Sequence, residues 1–298
     1  MSTTGASADP LAALGELPGV GDAVESVRRA VDGVYGHRVM RRRSPEISSE
    51  AALRGARASA ALSGADWALE EVRRRTDFRG ADAADPAPTV GAALRLTAEA
   101  GQLLSIWRQS PLRVMARLHL LAAAGSGAAG APGGGALAPR GEAPVGNGDD
   151  VGRPRRAGER VEEELGELPL PDADEVAVRL DGLAALIVAG GSAPALVTAA
   201  VVHGELLALR PFTSRNGLVA RAAERIVLVG SGLDPKSVCP AEVGHQEQGR
   251  EAYLTALQGY VSGTPQGMAA WIAHCGRAVE LGARESTAVC EALQRGAA

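Results

Sequence analysis

Residues 196–235 read LVTAAVVHGELLALRPFTSRNGLVARAAERIVLVGSGLDP. Two apolar stretches enclose a short polar loop. The first follows Pro194, whose fixed φ and missing N–H suit a helix start. It runs through Leu196, Val197, Val201, Val202, Leu206, Leu207 and Leu209, with His203 and Glu205 as its ionisable interruptions. Pro211 and the Asn216-Gly217 pair then mark a turn. Both Asn216 and Gly217 tolerate unusual backbone angles and are expected to make it tight. A second helix follows and ends before Pro235. Helix, loop, helix is therefore the reading, with Arg210, Arg215 and Arg221 set around the loop.

Working outward, Val20, Val24, Val27, Val31 and Val34 recur at three- and four-residue steps, one stripe of a helix that is expected to dock against something. Arg38, Arg41, Arg42 and Arg43 follow it as a solvated helix end. Residues 46–75 read as two helices broken near Gly64, the second with Asp66 as N-cap, early Glu70 and Glu71, and late Arg73, Arg74 and Arg75. Further helices are expected over 89–109 and from Pro111 to Ala124, the latter with Leu112, Met115, Leu118 and His119 on its stripe. Another spans Asp174 to Ala189, with Val176, Leu180, Leu183 and Ile187 inward and Gly190-Gly191 at its end. Near the C-terminus one is expected over 246–261. The last opens with Thr264 as N-cap and Pro265 in the first turn, and carries Met268, Trp271, Ile272, Cys275 and Val279 on one face. No alternating run of β-branched residues occurs, so the fold class is all-α, a helical bundle around the helix-loop-helix core.

Between Ala122 and Gly158 the sequence turns to Gly, Ala and Pro, including Gly133, Gly134 and Gly135 in a row. Gly125, Gly127 and Gly130 spell G-x-G-x-x-G there. A dinucleotide site needs that spacing after a strand, and here a helix precedes it. The expected organisation is an arm with an amphipathic helix over 1–45, N-terminal helices of the domain over 46–121, a flexible linker over 122–158, and a core with C-terminal helices over 159–298.

Residues 210–221 resemble the signature of the Fic (Fido) family, enzymes that move a nucleotide onto a protein hydroxyl, with the pattern H-P-F-x-(D/E)-G-N-G-R-x-x-R. Pro211, Phe212, Asn216, Gly217 and Arg221 match; Arg210 stands for the histidine, Ser214 for the acid, Arg215 for a glycine and Leu218 for the first arginine. The histidine seven residues upstream and the tail REAYLTALQGYVSGTPQGMAAWIAHC extend the likeness over about residues 46–280. The resemblance implies that the second helix presents free N–H groups to phosphates and that Phe212 is a buried anchor. It also places a general base at position 210 and a magnesium ligand at 214. A guanidinium has no acceptor and stays charged, and a serine is a poor ligand for a hard dication. General-base catalysis alone is worth roughly 10²–10⁴-fold, so efficient transfer is not expected.

Ser59-Ala-Ala-Leu-Ser-Gly64 resembles the family's inhibitory motif, (S/T)-x-x-x-E-(G/N), whose glutamate pairs with the second signature arginine; Ser63 takes that glutamate's place. What remains is charge. Arg210, Thr213, Ser214, Arg215, Asn216, Gly217 and Arg221 are the expected anion- or nucleotide-binding set, with no catalytic group and no metal ligand among them. Its ligand would be ATP, another nucleotide or another anion, and a role for magnesium is doubtful. The arginines could instead pair with Glu205, Glu224 or other carboxylates. His203 is read as a packed helix histidine, because about 10 Å of helix separates it from Arg210. The family's peptide-binding flap is a β-hairpin, and 122–158 lacks the alternation for one.

The three functional classes this leaves open are a degenerate Fic-like binding protein, a working divergent transferase on protein hydroxyls, and a structural or protein-interaction module that docks through residues 20–43. The 298 residues carry a net charge of −4 and a pI near 5.8, which gives no reason to expect nucleic-acid or membrane partners. Cys239, Cys275 and Cys290 lack C-x-x-C spacing, which argues against a disulfide framework or a structural zinc site, and no metal ligand is expected. The start Met-Ser-Thr-Thr-Gly-Ala-Ser has no basic or apolar run, so the expected compartment is the cytoplasm. Aromatic residues are only 3% of the chain, so Leu, Val and Ala must fill the core. Oligomeric state is not legible.

Overall fold

The computed structural model describes residues 9–80, 85–124, 150–162, 165 and 168–296. Among these there are twelve helices and no strand: α1 Ala12–Gly15, α2 Val20–Gly36, α3 Met40–Leu62, α4 Leu69–Arg74, α5 Ala87–Trp107, α6 Pro111–Ala123, α7 Ala173–Ala189, α8 Ala195–Leu209, α9 Asn216–Gly230, α10 Ala241–Gln248, α11 Arg250–Val261 and α12 Pro265–Gln294. The all-α expectation holds. Gly125, Gly127 and Gly130, Gly133 to Gly135, and most of the expected linker lie outside the described residues.

The sequence explains most boundaries. Asp172 caps α7, its side chain accepting from the Glu175 N–H, and Gly190 ends the helix at φ 63°. Thr264 caps α12 by accepting from the Gly267 N–H. Val176, Leu180, Leu183 and Ile187 are all buried, as are Trp271, Ile272, Cys275 and Val279. α8 is apolar all round and almost wholly buried, as a central helix must be. It lies beside α9, with α5 on the far side of α9 and α12 against α8. No helix among the described residues is long and apolar enough to cross a membrane.

Several expectations are corrected. The valine stripe of α2 docks as expected, but within the molecule: Val20, Val27, Val31 and Val34 are buried and the helix packs on α12. α3 begins at Met40, ahead of Pro45, with a kink at Arg43 where the backbone leaves helical geometry. The arginine cluster thus opens a helix, and Arg43 pairs with Glu46. α4 starts at Leu69 with Ala68 at its N-cap, because the Asp66 carboxylate is held by Arg57 instead. Leu112 is exposed, its neighbour Val114 taking the inward position. The helix expected over 246–261 is two, α10 and α11, parted at Gly249 with φ 88°. α10 can lie close along α12 because residue 244 is glycine: a Cβ there would stand 2.0 Å from the Ala278 carbonyl oxygen.

Candidate functional site

The loop between α8 and α9 is held by two left-handed residues, Arg210 (φ 44°) at the end of α8 and Arg215 (φ 61°) at the N-cap of α9. These arginines carry the unusual backbone angles. Asn216 and Gly217, expected to do so, are the first residues of helix α9. Their roles lie in their side-chain positions. Asn216 clamps the loop, its Oδ1 accepting from the Phe212 N–H at 2.8 Å and its Nδ2 donating to the Phe212 carbonyl at 2.9 Å. At Gly217 a Cβ would come within 3.1 Å of Arg221 Nη1, so glycine leaves room for that guanidinium. Phe212 is a buried anchor that stacks on His119 of α6, ring centroids 4.2 Å apart.

A strap crosses the loop from the preceding segment. Arg155 N–H donates to the Pro211 carbonyl at 2.7 Å and Glu162 N–H to the Thr213 carbonyl at 2.8 Å. Beneath it the buried Arg155 side chain donates to the carbonyls of Arg210 (3.0 Å) and Pro171. Burying a cation on backbone oxygens in this way fixes the loop's exit from α8. No sequence pattern marked Arg155, since its partners are main-chain atoms 55 and 16 residues away.

Over the loop opens a cleft of about 690 Å³, lined by Arg210, Arg215, Asn216, Gly217 and Arg221 together with Ser63 and Gly64 from the end of α3. Arg250, Gln246 and Tyr253 close its far side, and Asp66 and Glu162 bring carboxylates to its rim. Thr213 and Ser214 do not line it; Thr213 Oγ1 donates to Asp150 at 3.3 Å. Arg210 is buried, with Nη2 donating to the carbonyls of Leu168 (3.3 Å) and Pro169. Arg215 donates to Thr89 Oγ1. Arg221, also buried, donates from Nε to Ser59 Oγ (2.8 Å), and from Nη2 to the Ser59 carbonyl (2.9 Å) and Ser63 Oγ (2.7 Å). The inhibitory-motif positions and the last signature arginine therefore do meet, with a hydroxyl in the glutamate's place.

The carboxylates offered as alternative partners are engaged elsewhere. Arg179 grips Glu205 through two 2.8 Å hydrogen bonds, and the Tyr260 hydroxyl donates to it as well. Glu224 lies between His203 and His245. His203 is a fully buried helix histidine facing Tyr253, and burial pushes its pKa down. It is not a base for the loop.

A crystal structure of a Fic family protein from Desulfovibrio desulfuricans G20 superposes with a TM-score of 0.67 at 19% identity, over 91% of this chain and 75% of that one. This chain has the Fic fold. Two structures of Fic-1 from C. elegans agree, with TM-scores of 0.55 and 0.57 at 14% and 13% identity, over 89% and 91% of this chain and 72% of each of theirs. No protein-family model matches the sequence, nor does any curated protein.

Proposed function

We propose that this Fic-fold protein is catalytically degenerate and that its cleft binds a phosphate-bearing ligand, a nucleotide before other anions. The observation that carries the reading is Arg210. Where the signature calls for a group that can accept a proton, there is a buried guanidinium donating to two backbone carbonyls. It offers no lone pair to an attacking hydroxyl at any working pH. Ser214, at the metal-ligand position, does not line the cleft, and it would be a weak magnesium ligand there. The cationic lining supports anion binding, since Arg210, Arg215, Arg221 and Arg250 surround a cleft of ligand size at the start of α9.

Titration calorimetry with ATP, ADP and inorganic phosphate tests the binding. Saturable binding at millimolar ligand or better is expected, weakened roughly tenfold or more in Arg215→Ala, because a hydrogen bond to a charged group contributes about 1.5–3 kcal/mol. Absence of binding by all three, or unchanged affinity in Arg215→Ala, overturns it. Degeneracy is tested by incubation with each nucleoside triphosphate and magnesium or manganese. Intact-mass analysis is expected to show no nucleotide adduct on the chain or on lysate proteins.

A further inference from the structure

Behind the cleft, four helices each contribute one polar side chain to a single point in the core: His203 from α8, Glu224 from α9, His245 from α10 and Cys275 from α12. All four are buried, and their donor atoms lie within 4.8 Å of one another. Glu224 Oε2 is 3.0 Å from His203 Nδ1 and 3.0 Å from His245 Nε2. Each imidazole turns its other nitrogen outward to a second partner, His203 Nε2 to the Tyr253 hydroxyl at 2.6 Å and His245 Nδ1 to His274 Nε2 at 3.3 Å.

Hydrogen bonding does not account for the whole arrangement. His245 Nε2 points properly at the carboxylate, whereas His203 Nδ1, at the same distance and within ion-pair range, is turned off the line of a good hydrogen bond. The fully buried carboxylate, flanked by two histidines and a thiol, has no fixed cation bonded to it: Arg221 and Arg225 act on the cluster from a distance but hydrogen-bond Ser59 and Ser63, and Ser237 and Glu242, respectively. Two imidazole nitrogens held from outside, one carboxylate oxygen and one sulfur make up the donor set of a closed tetrahedral zinc site. Outer partners on both histidines are what such sites use to aim their ligands.

We propose that His203, Glu224, His245 and Cys275 bind one Zn²⁺, a structural ion that joins α8, α9, α10 and α12. Binding replaces the thiol proton of Cys275, which leaves to solvent, so the thiolate and carboxylate together offset the dication, and each imidazole would coordinate through a nitrogen lone pair. Such a site runs against the sequence expectation of no structural zinc site, because missing C-x-x-C spacing bears only on sites built from neighbouring cysteines. Here the ligands come one per helix, so no local motif announces them.

The full-length chain, unfolded in denaturant with a chelator, desalted, and refolded with Zn²⁺ or Co²⁺, tests the site. One equivalent of metal is expected to survive gel filtration and to raise Tm over the chain refolded without metal. The cobalt form is expected to show sulfur-to-metal charge transfer in the near ultraviolet and tetrahedral d–d absorption in the visible. Cys275→Ser removes the charge-transfer band; Cys239→Ser combined with Cys290→Ser keeps it, and assigns it even if Cys275→Ser fails to refold. Tyr253→Phe weakens zinc binding about 10–100-fold. Failure of the wild-type chain to retain one equivalent, a missing charge-transfer band, its persistence in Cys275→Ser, or its loss in the Cys239/Cys290 double variant overturns the proposal.

Discussion

His119 carries an aromatic stack and a backbone hydrogen bond at once: its ring lies on Phe212, and its Nδ1 accepts from the Gly152 N–H at 3.0 Å. Burial is the main cause that lowers its pKa to about 4, against an ordinary 6.5. The unfolded chain therefore binds a proton here between about pH 6.5 and 4 that the folded chain refuses, and stability must rise with pH across that window. Denaturation from pH 7 down to 4 is expected to show a loss on the order of 1–3 kcal/mol from this residue. His119→Phe should flatten that part of the profile; an unchanged slope would remove His119 as its source. Legibility varies sharply at this scale. The resemblance set Ser63 in the place of a glutamate that pairs with the last signature arginine, and in the structure Ser59 and Ser63 both meet Arg221. The fate of Arg210 could not be read in advance, since its carbonyl partners Leu168 and Pro169 lie 42 and 41 residues away on an irregular segment. Leu218 stands where the signature has its first arginine and is wholly buried, so that position now belongs to the core.

Helices with strong periodicity were legible to within a few residues: α2 from its valines, α7 from its four apolar positions and its Gly190-Gly191 end, α12 from Thr264 and Pro265. Failures came where tertiary contact outweighed local pattern. Asp66 would cap a helix if it were free, but Arg57 holds it. The division between α10 and α11 rests on one positive-φ glycine, Gly249, inside the polar run 244–251, where no apolar period exists to show a break. The packing of α10 on α12 yields a specific expectation. Gly244→Ala places a methyl group against the backbone of Ala278, where neither partner can turn aside. It should cost about 1–3 kcal/mol or more, read as a lower urea midpoint with an unchanged m-value. A neutral outcome would mean the two helices can separate freely.

Across the whole molecule, α12 is the common support, touching α2, α3, α8, α10 and α11. It also carries two of the three cysteines, Cys275 and Cys290, while Cys239 sits just before α10; all three are free thiols and all are buried. In the metal-free chain burial is the largest cause that raises each pKa, leaving little thiolate for an alkylating reagent to meet. The chain thus contains its own clock for opening. Iodoacetamide should label the native protein negligibly and the denatured protein three times, in near all-or-none fashion by intact mass if α12 departs as a unit. Partial labelling of Cys290 alone would instead mark fraying at the C-terminal end. Because Cys275 lies at the centre of the helix contacts and Cys290 near the end of α12, the order in which the three thiols react would record the order in which the protein comes apart.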